Sequence, residues 1–407
     1  MDLILRNVRL RDGEPLVDLA VANGKIAAIG ENLQADSGEV IDGEGRVVIP
    51  GLVEGHIHLD KALISDRAAN RSGTLWEAIS VTAALKPTFT KEDIYDRATR
   101  AAKMLISNGT TRVRAHSEFD PAGGMGGFET TMQIKREYAH ALDIQVVAFP
   151  QEGIIKAPGT EKMMYDAMEM GADVVGGVPY NDTDPHKHID IVFEIAKKYN
   201  KPIDLHQDFK DDADGITIEY VCRKAIDEGF VGRVAVGHLT ALGALPPARL
   251  QEVMKLMKEA EISVFSLPAT DLHLGARKDE YNVRRTLTPI RALRDAGVNV
   301  CLASNNIRNP FTPFGLGDML QIAMLAVHTA HLGGADDLPT VLPMVTTSPA
   351  KALGLTDYGL EVGCTADLVL LDTTKVANAI IDQPARLLVV KSGRVVVRKQ
   401  IAVEMNI

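Results

Sequence analysis

A chain of 407 residues is too long for one small core and suits a parallel barrel of roughly 250 residues with a smaller companion domain. Hydrophobic residues make up 46% and charged residues 24%, the balance of an ordinary globular protein and not of a disordered or membrane-embedded one. The net charge of -10 argues against nucleic acid as a partner, because phosphate binding asks for a basic face.

The first segment, MDLILRNVRLRDG, alternates apolar and polar residues and carries charges throughout, so no signal peptide is expected. Residues 1–51 read as short strands broken by NG, DG and EG turns. Residues 353–407 look alike, with ADLVLLDTT and RLLVVKSGRVVVRKQ as strands and Ser392-Gly393 as a turn. The economical reading is one small β-sandwich built from both termini.

Between them, residues 52–352 alternate apolar strands with helical segments. Strands are expected at 52–59, 111–116, 144–151, 172–179, 202–208, 233–239, 262–268 and 298–304. Intervening stretches such as KEDIYDRATRAAKMLISNG have helical apolar spacing and end at Gly or Asn. Eight strands alternating with helices predict an α/β fold, a (β/α)8 TIM barrel. No run of 18 apolar residues predicts a membrane span. Cys222, Cys301 and Cys364 are odd in number and far apart, which fits buried thiols in a reducing cytoplasm.

Chemistry in such barrels sits where strands end and loops begin. Strand one ends with His56 and His58, strand two with His116, strand three with Gln151, strand five with His206 and Asp208, strand six with His238. Strand eight runs into Ser304-Asn305-Asn306. His56 and His58, two apart, point to one face of their strand. Joined by a third imidazole they suit one divalent metal ion, zinc first, with iron or manganese as alternatives. Activation of water for hydrolysis is the use such a site has. GxSxG, Walker and GxGxxG motifs are absent.

With these residues in view, the chain resembles the amidohydrolase superfamily, and within it the cytosine deaminase group. The pieces that carry the resemblance are EGHIHLDKALI (54–64), SGTLWEAI (72–79), GTTRVRAH (109–116), QVVAFPQEGI (145–154), IDLHQD (203–208), VGHLTALG (236–243) and NPFTPFGLGDMLQIAMLAVH (309–328). It implies that His56, His58 and His206 are metal ligands and that His238 acts beside the metal. Gln151 and His116 are implied as substrate-binding residues. The sequence departs from the group at two positions. Phe209 stands where a proton-shuttling glutamate is usual, and Asn305 where a metal-binding aspartate is usual. The HLDK run is similar to N-isopropylammelide amidohydrolases, which makes Lys61 a candidate acid for the leaving amine. Asp60 and Asp208 are candidate bases, Asp208 preferred. Trp76 and Phe209 are expected to stack on a flat substrate.

The expected function is hydrolysis of a C–N bond in a small nitrogenous, heterocyclic compound by metal-activated water. The alternative is a degenerate member that binds a small ligand without turning it over, because of Phe209 and Asn305. A small-molecule substrate, a cytoplasmic location and no membrane partner are expected; the resemblance implies a homo-oligomer.

Overall fold

Residues 1–34 and 38–406 are described in the computed structural model. β1 (Leu3–Val8), β2 (Val17–Ala22), β3 (Lys25–Gly30) and β4 (Glu39–Asp42) form a sheet in the order β3-β2-β1-β4. β5 (Val48–Pro50) leaves it to pair with a segment from the far end of the chain. That second sheet has the order β16-β15-β14-β5, with β14 (Leu368–Leu371), β15 (Arg386–Lys391) and β16 (Arg394–Arg398). Leu3, Leu5, Leu19 and Val21 of one sheet pack on Val48, Leu368, Leu388 and Val390 of the other, closing a β-sandwich built from both termini. Its hairpins turn at Asn23-Gly24 (φ 52° and 76°) and Ser392-Gly393 (φ 46° and 77°), where positive φ at both positions matches the twist of the flanking strands.

The eight-stranded parallel sheet between runs β6 (Leu52–Ile57), β7 (Thr110–Glu118), β8 (Asp143–Phe149), β9 (Val174–Gly177), β10 (Ile203–Gln207), β11 (Val234–His238), β12 (Ser263–Ser266) and β13 (Asn299–Leu302), each pairing with the next. The ring closes just beyond β13. Asn305 N donates to His56 O at 3.0 Å, and His58 N donates to Asn305 O at 2.9 Å. The fold is therefore the expected TIM barrel with a small β-sandwich.

Helices cover the barrel for local reasons. In Lys91–Ser107, Thr90 caps the start by accepting from Asp93 N, and Ile94, Ala98, Ala101, Ala102 and Leu105 fall on the buried stripe. Asp184 caps Pro185–Tyr199, and Asn200 ends it in the left-handed region. Among the described residues no helix is long and apolar enough to cross a membrane. The three cysteines are free thiols, Cys222 and Cys301 buried and Cys364 half-buried.

A candidate metal centre

β6 aims His56 and His58 inward, and β10 brings His206 across the barrel to meet them. His206 Nε2 lies 3.2 Å from His56 Nε2 and 3.0 Å from His58 Nε2. Room for His56 comes from β11, where a Cβ on Gly237 would sit 2.6 Å from its Cε1. All three rings are buried. Burial, helped by His116 nearby, lowers the pKa of His56 to about 3; burial also holds His58 and His206 well below the usual value.

Three neutral rings packed so closely cannot satisfy one another. His58 Nδ1 donates to His116 O at 3.1 Å, which leaves a lone pair on its Nε2. His56 turns Nδ1 toward Asp204 Oδ1, 3.7 Å away, and likewise offers a lone pair at Nε2. One proton on His206 Nε2 serves only one of those two acceptors. Asn305 Oδ1, buried beside them, has no hydrogen-bond partner among the described residues. This donor set fits one divalent cation: three convergent imidazole nitrogens and a spare amide oxygen.

Lys61, Gln151, Phe209, His238 and Asn305 line a cavity over His58 and His206, with Leu75, Tyr180, Asn306 and Phe311 completing the wall. The space is narrow, with room for about a single water. Lys61 Nζ donates to Glu118 and, at 3.1 Å, to Gln151 Oε1. Glu118 is also 3.3 Å from Lys86, which pairs in turn with Asp120 and Glu152 at 2.8 Å each. His238 Nδ1 donates to Asp271 Oδ1 at 2.7 Å, and burial raises the Asp271 pKa against the pull of His238. Phe209 stacks on the other side of His238.

Four of the expected site residues do not face this cavity. His116 does not face the cavity; it stacks behind His56, ring centroids 3.9 Å apart, and reaches Asp204 at 3.3 Å. β7 runs two residues beyond it, so Glu118 is the side chain that reaches Lys61 and comes within 3.7 Å of His58. Asp208 points away from the histidines. Its backbone is left-handed (φ 45°), which breaks strand alternation, and its carboxylate accepts from Thr217 N and Ile218 N at the start of the helix Ile218–Asp227. Trp76 is 60% exposed; its neighbour Leu75 lines the cavity instead. Asp60 also turns aside, accepting from Glu118 N at 2.7 Å.

Sequence reading missed Glu118, Asp271, Tyr180 and Phe311. The HSE run after the second strand was a usable signal for Glu118. Asp271 lies within the short helix Pro268–Leu274, where no strand-end rule points.

A family model described as "Amidohydrolase family" matches residues 67–397. The N-isopropylammelide isopropyl amidohydrolase of Pseudomonas sp. (strain ADP) is 30% identical, covering 99% of this chain and 98% of that protein. The crystal structure of 5-methylcytosine deaminase from Klebsiella pneumoniae, liganded with phosphonocytosine, superposes with a TM-score of 0.94 at 35% identity, over 99% of this chain and all of that one (100%). N-isopropylammelide isopropylaminohydrolase from Burkholderia multivorans ATCC 17616 superposes with a TM-score of 0.87 at 30% identity, over 98% and 99% of the two chains.

Proposed function

We propose that this chain, which belongs to the amidohydrolase family, is a metal-dependent hydrolase that cleaves a C–N bond of a small nitrogen heterocycle. One observation carries the reading: the Nε2 atoms of His56 and His58 lie 3.2 and 3.0 Å from that of His206, a buried convergence of three imidazole nitrogens that suits a cation. The names of its relatives, which refer to N-isopropylammelide and 5-methylcytosine, support a heterocyclic substrate.

His56, His58 and His206 would hold the ion, with Asn305 Oδ1 as a neutral fourth donor. A divalent ion there, zinc in our reading and iron or manganese as alternatives, supplies Lewis-acid activation of water and of the carbon it attacks. His238 keeps its Nδ1 proton on Asp271, so its Nε2 takes a proton from the attacking water. Lys61 Nζ delivers a proton to the leaving amine in place of the glutamate that Phe209 replaces. Gln151 orients the ring, and Phe209 keeps water off one face of His238. A non-hydrolysing binder is less well supported, because the cavity keeps both a paired histidine and a lysine beside the donor set. A cytoplasmic homo-oligomer completes this reading.

His58→Ala is the test. Its metal content should drop to about a tenth of an equivalent or less, with turnover lost in parallel, since one imidazole of three is gone. Wild-type protein stripped by a chelator should recover with added zinc. A chelated His58→Ala protein that retains full activity sinks the proposal.

A further inference from the structure

Asp204 stands two residues before His206 on β10, so both side chains enter the barrel. Asp204 is completely buried. Its Oδ2 accepts from Arg114 Nη1 at 2.8 Å. Arg114 is itself fixed by Gln145 Oε1, at 3.1 and 2.9 Å, and by Ala352 O at 3.1 Å. The other oxygen, Oδ1, faces two rings: His116 Nε2 at 3.3 Å and His56 Nδ1 at 3.7 Å. Neither contact has full hydrogen-bond geometry, and among the described residues nothing else bonds Oδ1 or His56 Nδ1.

We infer that Asp204 is a positioning residue: it holds the His56 proton on Nδ1 and so keeps Nε2 bare for a cation. The inference rests on His56, His58 and His206 being the metal ligands. A neutral imidazole carries one proton, on one nitrogen or the other. A carboxylate only accepts, so the edge facing Asp204 keeps that proton, and the lone pair is left on the edge that meets His206. With the proton on Nε2 instead, His56 would offer the cluster a donor and bind no ion. Arg114 matters because a guanidinium only donates, so an oxygen must stand at the Oδ2 position. In Asp204→Asn the amide nitrogen is therefore driven to the Oδ1 position, where its hydrogens face His56 and His116. His56 Nδ1 then has to accept, and its proton moves to Nε2, the wrong-tautomer failure of a catalytic histidine whose aspartate becomes an asparagine.

Long-range proton–nitrogen NMR correlation on zinc-free protein with isotope-labelled histidine reads the tautomer, and His56→Gln identifies the signals. Wild-type protein should carry the His56 proton on Nδ1, and Asp204→Asn should carry it on Nε2. Competition with a fluorescent zinc chelator should show zinc affinity reduced roughly 10- to 100-fold in Asp204→Asn. Asp204→Ala should lose less, because it leaves His56 free to take either tautomer. A merely structural aspartate predicts the reverse order, since asparagine keeps the shape that alanine loses. A wild-type His56 proton on Nε2, a folded Asp204→Asn protein with wild-type zinc affinity, or an Asp204→Ala protein that binds zinc more weakly than Asp204→Asn overturns the inference. The wild-type tautomer decides if both variants fail to fold. Wild-type protein that takes up no zinc sinks the hydrolase reading itself, a failure distinct from a misplaced proton in the zinc-free protein.

Discussion

Phe209 lies flat against His238, with ring centroids 4.2 Å apart and planes within 9° of parallel. An aromatic face covers one side of the imidazole, and Asp271 holds its Nδ1 edge. Proton traffic at His238 is thus confined to Nε2, and the carboxylate bonded to this histidine comes from the helix after β12, not from the segment after β10.

Asp271→Asn keeps an acceptor for His238 but removes the charge that steadies an imidazolium. Turnover should fall about a hundredfold or more while metal content stays at the wild-type level. Steady-state rates together with elemental analysis check this.

Phe209→Glu combined with Asn305→Asp puts carboxylates at the two positions where this chain departs from its group. The double variant should release ammonia from cytosine, at a stability cost of about 1–3 kcal/mol for burying new polar groups. An ammonia assay paired with a thermal melt reads both effects. A folded double variant without ammonia release assigns the specificity to other residues.

Acid stability should depend on His188, which is outside the candidate donor set. It donates to Asp182 at 2.7 Å and accepts from Val178 N at 2.9 Å. Burial holds it below its ordinary value of 6.5 despite the pull of Asp182. The unfolded chain therefore takes up the proton first, so stability is full above that value and falls below it, by at most about 1.4 kcal/mol per pH unit. Burial pushes Asp182 up, but His188 and the amides of Ile155, Ile154 and Lys156 outweigh it and hold the carboxyl well below 3.8. Its contribution is lost only as pH drops beneath 3.8 toward that depressed value. Urea melts between about pH 7 and pH 5 should show a shallower slope in His188→Asn than in the wild type, the buried His56, His58, His116 and His206 keeping their own share.

Lys391 is fully buried where the sandwich meets the barrel. Its Nζ donates to Asp367 at 2.9 Å and to Asp143 at 2.8 Å, and Arg112 reaches Asp367 at 2.7 Å. Lys391→Ala should cost about 1–3 kcal/mol, because buried Asp367 loses one charged partner while Arg112 stays on both carboxylates. Lys391→Met together with Asp367→Leu should cost less than the single change, which denaturant titration of both proteins measures.

The barrel was legible because each strand was a short apolar run between helical stretches, and His56 and His58 were legible because period two fixes their common face. Reading failed where the backbone leaves that period. Asp208 at φ 45° turns its carboxylate to a helix start, an event no alternation rule contains. Asn305 at φ 62° closes the ring with its main chain while presenting its side chain to the cavity, so its position was visible and its second task was not. Trp76 was misjudged because a helix start exposes one of two adjacent residues, and sequence does not say which. Glu118 was lost to a strand end placed two residues early.

The seam through Asn305 also sets a clock. The last strand position that completes the donor set is made long after His58, with His206 between them. At ribosomal rates of about 5–20 residues per second, that delay is on the order of tens of seconds. Until the ring shuts, the nascent chain carries His56, His58 and His206 on strands not yet held together through Asn305. Capture of an ion by these residues would then follow ring closure, and a chain truncated before residue 305 is expected to bind metal and substrate more weakly than the full barrel.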